Sequence, residues 1–170
     1  MSEQIENGVD GDVSSSAVRK NEEVSGATNQ VRYGVRIGAL GILVPDGVFS
    51  EVTVSKPIYS LPNTQPWLPG VVNDHGDVIP VYDLYELFGV DVSSSGKNIL
   101  LMVDRREHAV ALKLWDYPLA VRGFSAGAPR PEIPGVLEAF VGESFSVGGE
   151  VWVDFDHRAF FLSLRASVAQ

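Results

Sequence analysis

From Val31 the chain alternates. Val31, Tyr33, Val35 and Ile37 are separated by Arg32, Gly34 and Arg36, the period-two pattern of a half-buried strand. Residues 40–44 form a second apolar run, closed by the turn Pro45-Asp46-Gly47. Residues 48–55 continue extended, with Val52 and Val54 on one face. Pro57 and Pro62 argue against helix here. Residues 61–70 read as a loop that carries one large aromatic, Trp67.

Residues 71–81 hold two apolar runs about a polar turn, which predicts a hairpin. A two-residue turn at His75-Gly76 sets Asp74 opposite Asp77, and like charges directly opposite cost stability. A looser four-residue turn relieves the pair and is the expectation. Residues 83–89 predict a short helix. Asp83 is its N-cap, Glu86 completes a capping box and Gly89 ends it. Residues 93–96 read as a linker. Residues 99–103 and 109–114 predict strands joined by the polar run 104–108, and residues 119–121 a third. Residues 126–134 are a proline-rich connection. Residues 145–147 and 151–155 flank Gly148-Gly149, a two-residue hairpin signal that sets Phe145 across from Trp152. Asp156 caps a last helix over residues 157–166, with Phe160, Phe161 and Leu164 facing inward. Many short strands with two brief helices predict an all-β chain, barrel or sandwich.

The first 30 residues break this pattern. They carry six acids against Arg19 and Lys20, no aromatic residue and only scattered aliphatics. Such a stretch cannot bury enough apolar surface to offset the entropy of ordering. The expectation is a disordered acidic tail over residues 1–30 and one folded domain over residues 31–170. The 170 residues and 45% hydrophobic content allow a core without metal or disulfides.

Candidate chemistry narrows from there. The chain has no cysteine, which excludes thiolate metal sites, disulfides and a cysteine nucleophile. It shows no nucleophile elbow and no phosphate loop. No apolar run approaches a membrane span, and the polar N-terminus reads as neither signal nor transit peptide, so the cytoplasm is the expected compartment. A net charge of -9 makes a poor nucleic-acid binder. The cluster Asn73-Asp74-His75-Gly76-Asp77 matches no calcium loop and reads as a solvated turn. Asp156-His157 reads as a helix cap rather than half of a triad. Trp115 and Trp152 read as core, whereas nothing local obliges Trp67 to be buried. An enzyme or small-ligand barrel needs a catalytic cluster that these residues do not supply. No cofactor is expected.

Pro66-Trp67-Leu68-Pro69-Gly70-Val71-Val72-Asn73-Asp74-His75-Gly76, continued by Pro80-Val81-Tyr82-Asp83-Leu84, resembles the central motif of the chemotaxis coupling proteins of the CheW family. The lead-in Gly47-Val48-Phe49-Ser50-Glu51-Val52 and the helix end Phe88-Gly89 fit the same pattern, as does the late strand 151–156. The likeness runs from about Tyr33 to Leu164 and is strongest over residues 44–90. It implies two intertwined SH3-like five-stranded β-barrels that exchange strands across one core. It implies no catalysis. It implies a scaffold that links methyl-accepting chemoreceptors to the regulatory domain of a CheA-like histidine kinase. By motif position the partner-binding candidates are Val48, Glu51, Val52, Trp67, Asn73, His75 and Gly76. Trp67 and the divergent second half are similar to the family's surface-motility and type IV pilus members. One position departs from the pattern. The family's hairpin arginine is His75 here, so a fixed cation with five donors becomes a smaller, titratable ring. This opens an alternative, a diverged regulator that binds the kinase or another partner without ordinary receptor coupling.

Overall fold

The alternating run after Val31 does form a strand, and the remaining strands follow in the expected order. The computed structural model describes residues 30–92 and 98–168. The expected acidic tail lies outside the described residues except for Gln30, as does the expected linker at residues 93–96. β1 (Arg32–Ile37) and β2 (Leu40–Leu43) are followed by β3 (Ser50–Val54), β4 (Gly70–Asp74) and β5 (Asp77–Tyr82). Helix α1 (Leu84–Phe88) precedes β6 (Ile99–Val103), β7 (Val110–Leu114), β8 (Leu119–Val121) and β9 (Ser125–Ala126). β10 (Val141–Val147), β11 (Glu150–Phe155) and helix α2 (His157–Val168) complete the order.

Two sheets result. The first runs β8-β1-β2-β11-β10-β9 and the second β3-β6-β7-β5-β4. The chain therefore leaves the first sheet after β2, builds the whole second sheet, and returns. Parallel pairing of β11 with β2 ties the two ends of the chain together, through Trp152 opposite Gly41 and Val153 opposite Ile42. The first sheet counts six strands because the two-residue β9 adds to β10 at its edge. That strand sits beside the proline-rich connection, where too few residues alternate to leave a pattern.

The continuous apolar run at residues 99–103 is explained by burial on both faces of β6. Leu101 and Val103 join the main core, whereas Leu100 and Met102 join a second cluster with Val72, Ile79 and Ala111. The main core also takes Val35, Ile37 and Ile42 from the first sheet and Phe160, Phe161 and Leu164 from α2. Helix α2 thus packs into a core that both sheets share. A third cluster gathers Leu43, Val121 and Phe124 about Trp152.

Two expectations are corrected. The β4–β5 turn is the tight one: Asp74 stands opposite Asp77, with His75 and Gly76 both at positive φ, 51° and 97°. The like-charge penalty is offset because Lys56 Nζ hydrogen-bonds Asp74 Oδ1. Lys56 lies 18 residues away, so no local pattern announces it. The capping box is only half made. Asp83 Oδ1 accepts from the amides of Tyr85 and Glu86, but the Asp83 amide donates to the Trp67 carbonyl at 2.9 Å rather than to Glu86.

Pro80 is tolerated inside the sheet for a specific reason. Its partner across the ladder is Val71, and Val71 turns its own N–H and C=O away, toward Tyr59, at 2.9 and 2.8 Å. Pairing with β7 begins only at Val81. No ladder bond to β4 or β7 requires the N–H that proline lacks. Among the described residues no helix is long and apolar enough to cross a membrane.

Candidate functional site

Alternation along β3 sends its candidate residues to opposite faces. Glu51 pairs with Met102 and Val52 with Leu101, and those two neighbours belong to different clusters. Glu51 therefore shares a face with Met102. The β4–β5 hairpin reaches the same place from the other edge of the sheet. Between them opens a hollow of about 390 Å³, walled by Phe49 and Glu51 on one side and by Asp74, His75 and Asp77 on the other. Met102 and Ile79 also line it, and Arg105 and Arg106 stand at its rim.

The seven candidate residues do not form one patch. Glu51 and His75 line the hollow. Gly76 shapes the turn, and its amide donates to Asn73 Oδ1 at 3.3 Å. Asn73 itself lines a shallow depression beside Tyr59 and Val78. Val48 is half-buried against the main core. Val52 is on the opposite face from Glu51 and is 38% exposed. Trp67 is half-buried and stacks on Tyr82, with ring centroids 6.1 Å apart and planes 8° from parallel.

The electrostatics of the hollow come from paired groups. Lys56 beside Asp74 holds its carboxyl below the usual carboxylate range, with His75 adding to the effect against a smaller opposing push from burial. His75 Nδ1 lies 3.3 Å from Asp74 Oδ1, yet 88% of the His75 side chain is exposed. The imidazole is thus available to a partner, anchored only at its edge.

The opposite rim was not legible in the sequence. Residues 104–108 read there as a plain link, but Asp104 and Arg106 hold positive φ of 66° and 56°, a conformation uncommon outside glycine. The segment is held open by Asp104. Its Oδ2 accepts from His157 Nε2 at 2.9 Å and Arg158 Nε at 2.6 Å. Its Oδ1 accepts from the Arg105 amide at 2.8 Å, and its own amide donates to Phe49 O at 2.9 Å. Arg105 then lies over the Phe49 ring, 3.9 Å from the centroid, a cation–π contact. The only sequence signal for this rim is the charge density of Asp104-Arg105-Arg106-Glu107-His108. His157 is spent on Asp104 and Asp156 caps α2 through the Ala159 amide, so the two do not act as a catalytic pair. Among the described residues no cluster of three or more His, Asp or Glu is placed to hold a metal.

The Arg158 guanidinium, aided by His157, holds the Asp104 carboxyl far below its usual range, against the opposing push of burial. A carboxyl depressed in the folded state stabilises above the unfolded value near 4, and that stabilisation is lost as pH falls. Asp104→Asn is expected to cost roughly 1–2 kcal/mol at pH 7, the range for charge-assisted bonds with one exposed partner. The gap to wild type should shrink by up to about 1.4 kcal/mol per pH unit below about pH 4. Urea unfolding of both proteins at pH 7 and pH 3 reads this directly. A gap independent of pH would mean that the carboxylate does not hold the loop.

The comparisons with known proteins agree with this architecture. The scaffolding protein TtCheW from Thermoanaerobacter tengcongensis has a similar solved structure, with a TM-score of 0.58 at 18% identity, over 76% of this chain and 90% of that one. At that identity the likeness speaks to the fold alone. No curated protein sequence matches the chain. The family model of the CheW-like domain matches residues 34–140, more than half of the chain's length, and on that match the chain belongs to the CheW-like domain family.

Proposed function

We propose that the protein is a non-catalytic coupler that works in the cytoplasm of a bacterium. It would link chemoreceptors to the regulatory domain of a histidine kinase, in a chemosensory or twitching-motility system. The observation that carries this reading is the hollow that brings Glu51 of β3 and His75 of the hairpin to one surface, in a chain of the CheW-like family. The structurally similar TtCheW is named as a scaffolding protein, and scaffolding needs surface rather than chemistry. The hollow supplies an exposed imidazole, four carboxylates (Glu51, Asp74, Asp77 and Asp104) and two arginines about an apolar floor. That mixture suits a partner surface with a central apolar contact and a charged rim.

The test is binding of the purified chain to a kinase regulatory domain and to a receptor cytoplasmic fragment, measured separately. His75→Asp places a third carboxylate beside Asp74 and Asp77. It is expected to weaken binding about tenfold or more through like-charge repulsion, with the fold retained because the ring is exposed. Binding that stays unchanged removes the hairpin from the interface.

The residue at position 75 favours a second reading. Lys56 is committed to Asp74, so the hairpin side of the hollow presents acids without a fixed cation. A diverged regulator would bind the kinase and leave the receptor. His75→Arg separates the two: gained receptor binding supports the regulator, and no gain supports the coupler.

A further inference from the structure

Among the described residues, six of the ten arginines and lysines are committed to acids. Arg32, Arg36, Lys56, Lys113, Arg130 and Arg158 each lie within ion-pair distance of a carboxylate. The other four are Arg105, which lies over the Phe49 ring, Arg122, Arg106 and Arg165, and the last two share a groove. Arg165 gives its guanidinium to the carbonyls of Glu107 and Ala109, at 2.8 and 3.2 Å. Arg106 stands at positive φ, and neither arginine has a carboxylate partner among the described residues. Both line a second open groove of about 390 Å³. Its apolar wall is Leu61, Val78, Pro80 and Val168. Val78 is 70% exposed, Leu61 42% and Val168 40%. One acid, Glu107, also lines the groove, and its carboxylate lies 3.7 Å from His108 Nε2. A groove with this wall and two arginines without acidic partners fits a segment that is both apolar and acidic.

The chain carries such a segment. Residues 1–29 hold six carboxylates against two cations. Ile5, Val9 and Val13 recur every fourth residue, with Glu6, Asp10 and Asp12 between them. That spacing brings the three aliphatic side chains to one face in a helical conformation. The segment enters the described structure at Gln30, whose side chain donates to Asp46 Oδ2 at 2.8 Å. Asp46 is three residues from Phe49, a span of at most about 11 Å. Twenty-nine residues reach about 95 Å when extended, against a radius of gyration of roughly 14 Å for a domain of this size. Tethering supplies an effective concentration in the millimolar range, so a weak contact suffices for occupancy.

We infer that the acidic N-terminal segment docks in cis into the groove between β5 and the end of α2, its aliphatic residues on the apolar wall and its carboxylates on Arg106 and Arg165. Arg106 also stands at the rim of the hollow that holds Glu51 and His75. A docked segment therefore draws a cation away from that hollow and opposes partner binding there. This consequence rests on the coupler reading; the docking does not.

The absence of native cysteine makes a single spin label straightforward. The full chain with Asn7→Cys, a position to which the docking assigns no contact, labelled with a nitroxide and with nitrogen-15, is compared before and after reduction of the label. The expected result is loss of more than half the amide intensity at Val78, Arg106 and Val168, with Phe145 and Val147 unaffected. Arg106→Glu combined with Arg165→Glu should restore those intensities, as should 0.5 M salt, which shortens the screening length. The double variant's amide spectrum reports that it remains folded. Even or absent broadening overturns the inference. So does broadening seen only when labelled chain is mixed with unlabelled nitrogen-15 chain, which would mean that a second copy fills the groove. The readout involves no kinase or receptor, so failure of the coupler reading leaves it intact.

Discussion

Replacing Gly41 with alanine is expected to destabilise the fold by roughly 2–3 kcal/mol, the upper part of the range for overpacking a dense core. In a chain of this length that lowers the melting temperature by about 6–10 °C. The reason is the bed beneath Trp152. A Cβ at Gly41 would lie 2.7 Å from two atoms of the indole and 2.9 Å from the Val151 carbonyl. At Gly34 it would lie 2.5 Å from the ring. The indole is 2% exposed and packs with Leu43, Val121 and Phe124, so it has nowhere to move. Residue 41 also sits in the parallel pairing of β2 with β11, so strain there falls on the seam that closes the chain. Gly135→Ala is the control, since a Cβ there meets nothing within 4 Å and the backbone is not left-handed. It should be close to neutral. Trp152→Phe shrinks the ring, so Gly41→Ala should cost measurably less in that background, a coupling that a double-mutant cycle reads. Strict additivity would mean that the strain lies elsewhere.

The bed of Trp152 also marks the limit of what the residues announce. Phe145 opposite Trp152 was legible from Gly148-Gly149, because a two-residue turn fixes register, and the structure has that pair. That Gly34 and Gly41 are glycines for the sake of a ring more than a hundred residues later is a tertiary fact without a local pattern. The tight β4–β5 turn was misread for the same kind of reason. Asp74 opposite Asp77 is unfavourable only until Lys56 is seen across the gap. Motif position brought Glu51 and His75 forward, and these two line one hollow. It also brought forward Val48 and Trp67, which pack against the main core, because the motif records backbone needs as well as surface. The rim formed by Arg105 and Arg106 was missed. Its geometry rests on left-handed backbone at Asp104 and Arg106, and those residue types do not advertise it.

Asp83→Ala is expected to cost roughly 3 kcal/mol, and Asp83→Asn clearly less, about 1–2 kcal/mol. The side chain is 2% exposed and joins three parts of the fold. Oδ1 caps α1 through the amides of Tyr85 and Glu86, at 3.1 and 3.3 Å, a role worth about 1 kcal/mol. Oδ2 accepts from Lys113 Nζ of β7 at 2.9 Å. Removing one partner of a buried pair costs 3–5 kcal/mol where the other charge is stranded. Here Lys113 keeps 28% of its side chain exposed and lies 4.9 Å from the Trp115 ring, so the pair falls below that range, at about 2 kcal/mol. Asparagine keeps the capping oxygen and loses the ion pair, whereas alanine loses both. The backbone bond from the Asp83 amide to Trp67 O survives either change, so the loop that precedes the hairpin should stay in place. Thermal and urea unfolding of the two variants rank the contributions. Equal losses for asparagine and alanine would assign the effect to the ion pair alone. A loss below about 0.5 kcal/mol for alanine would mean that α1 is held by its apolar face, with Asp83 a bystander.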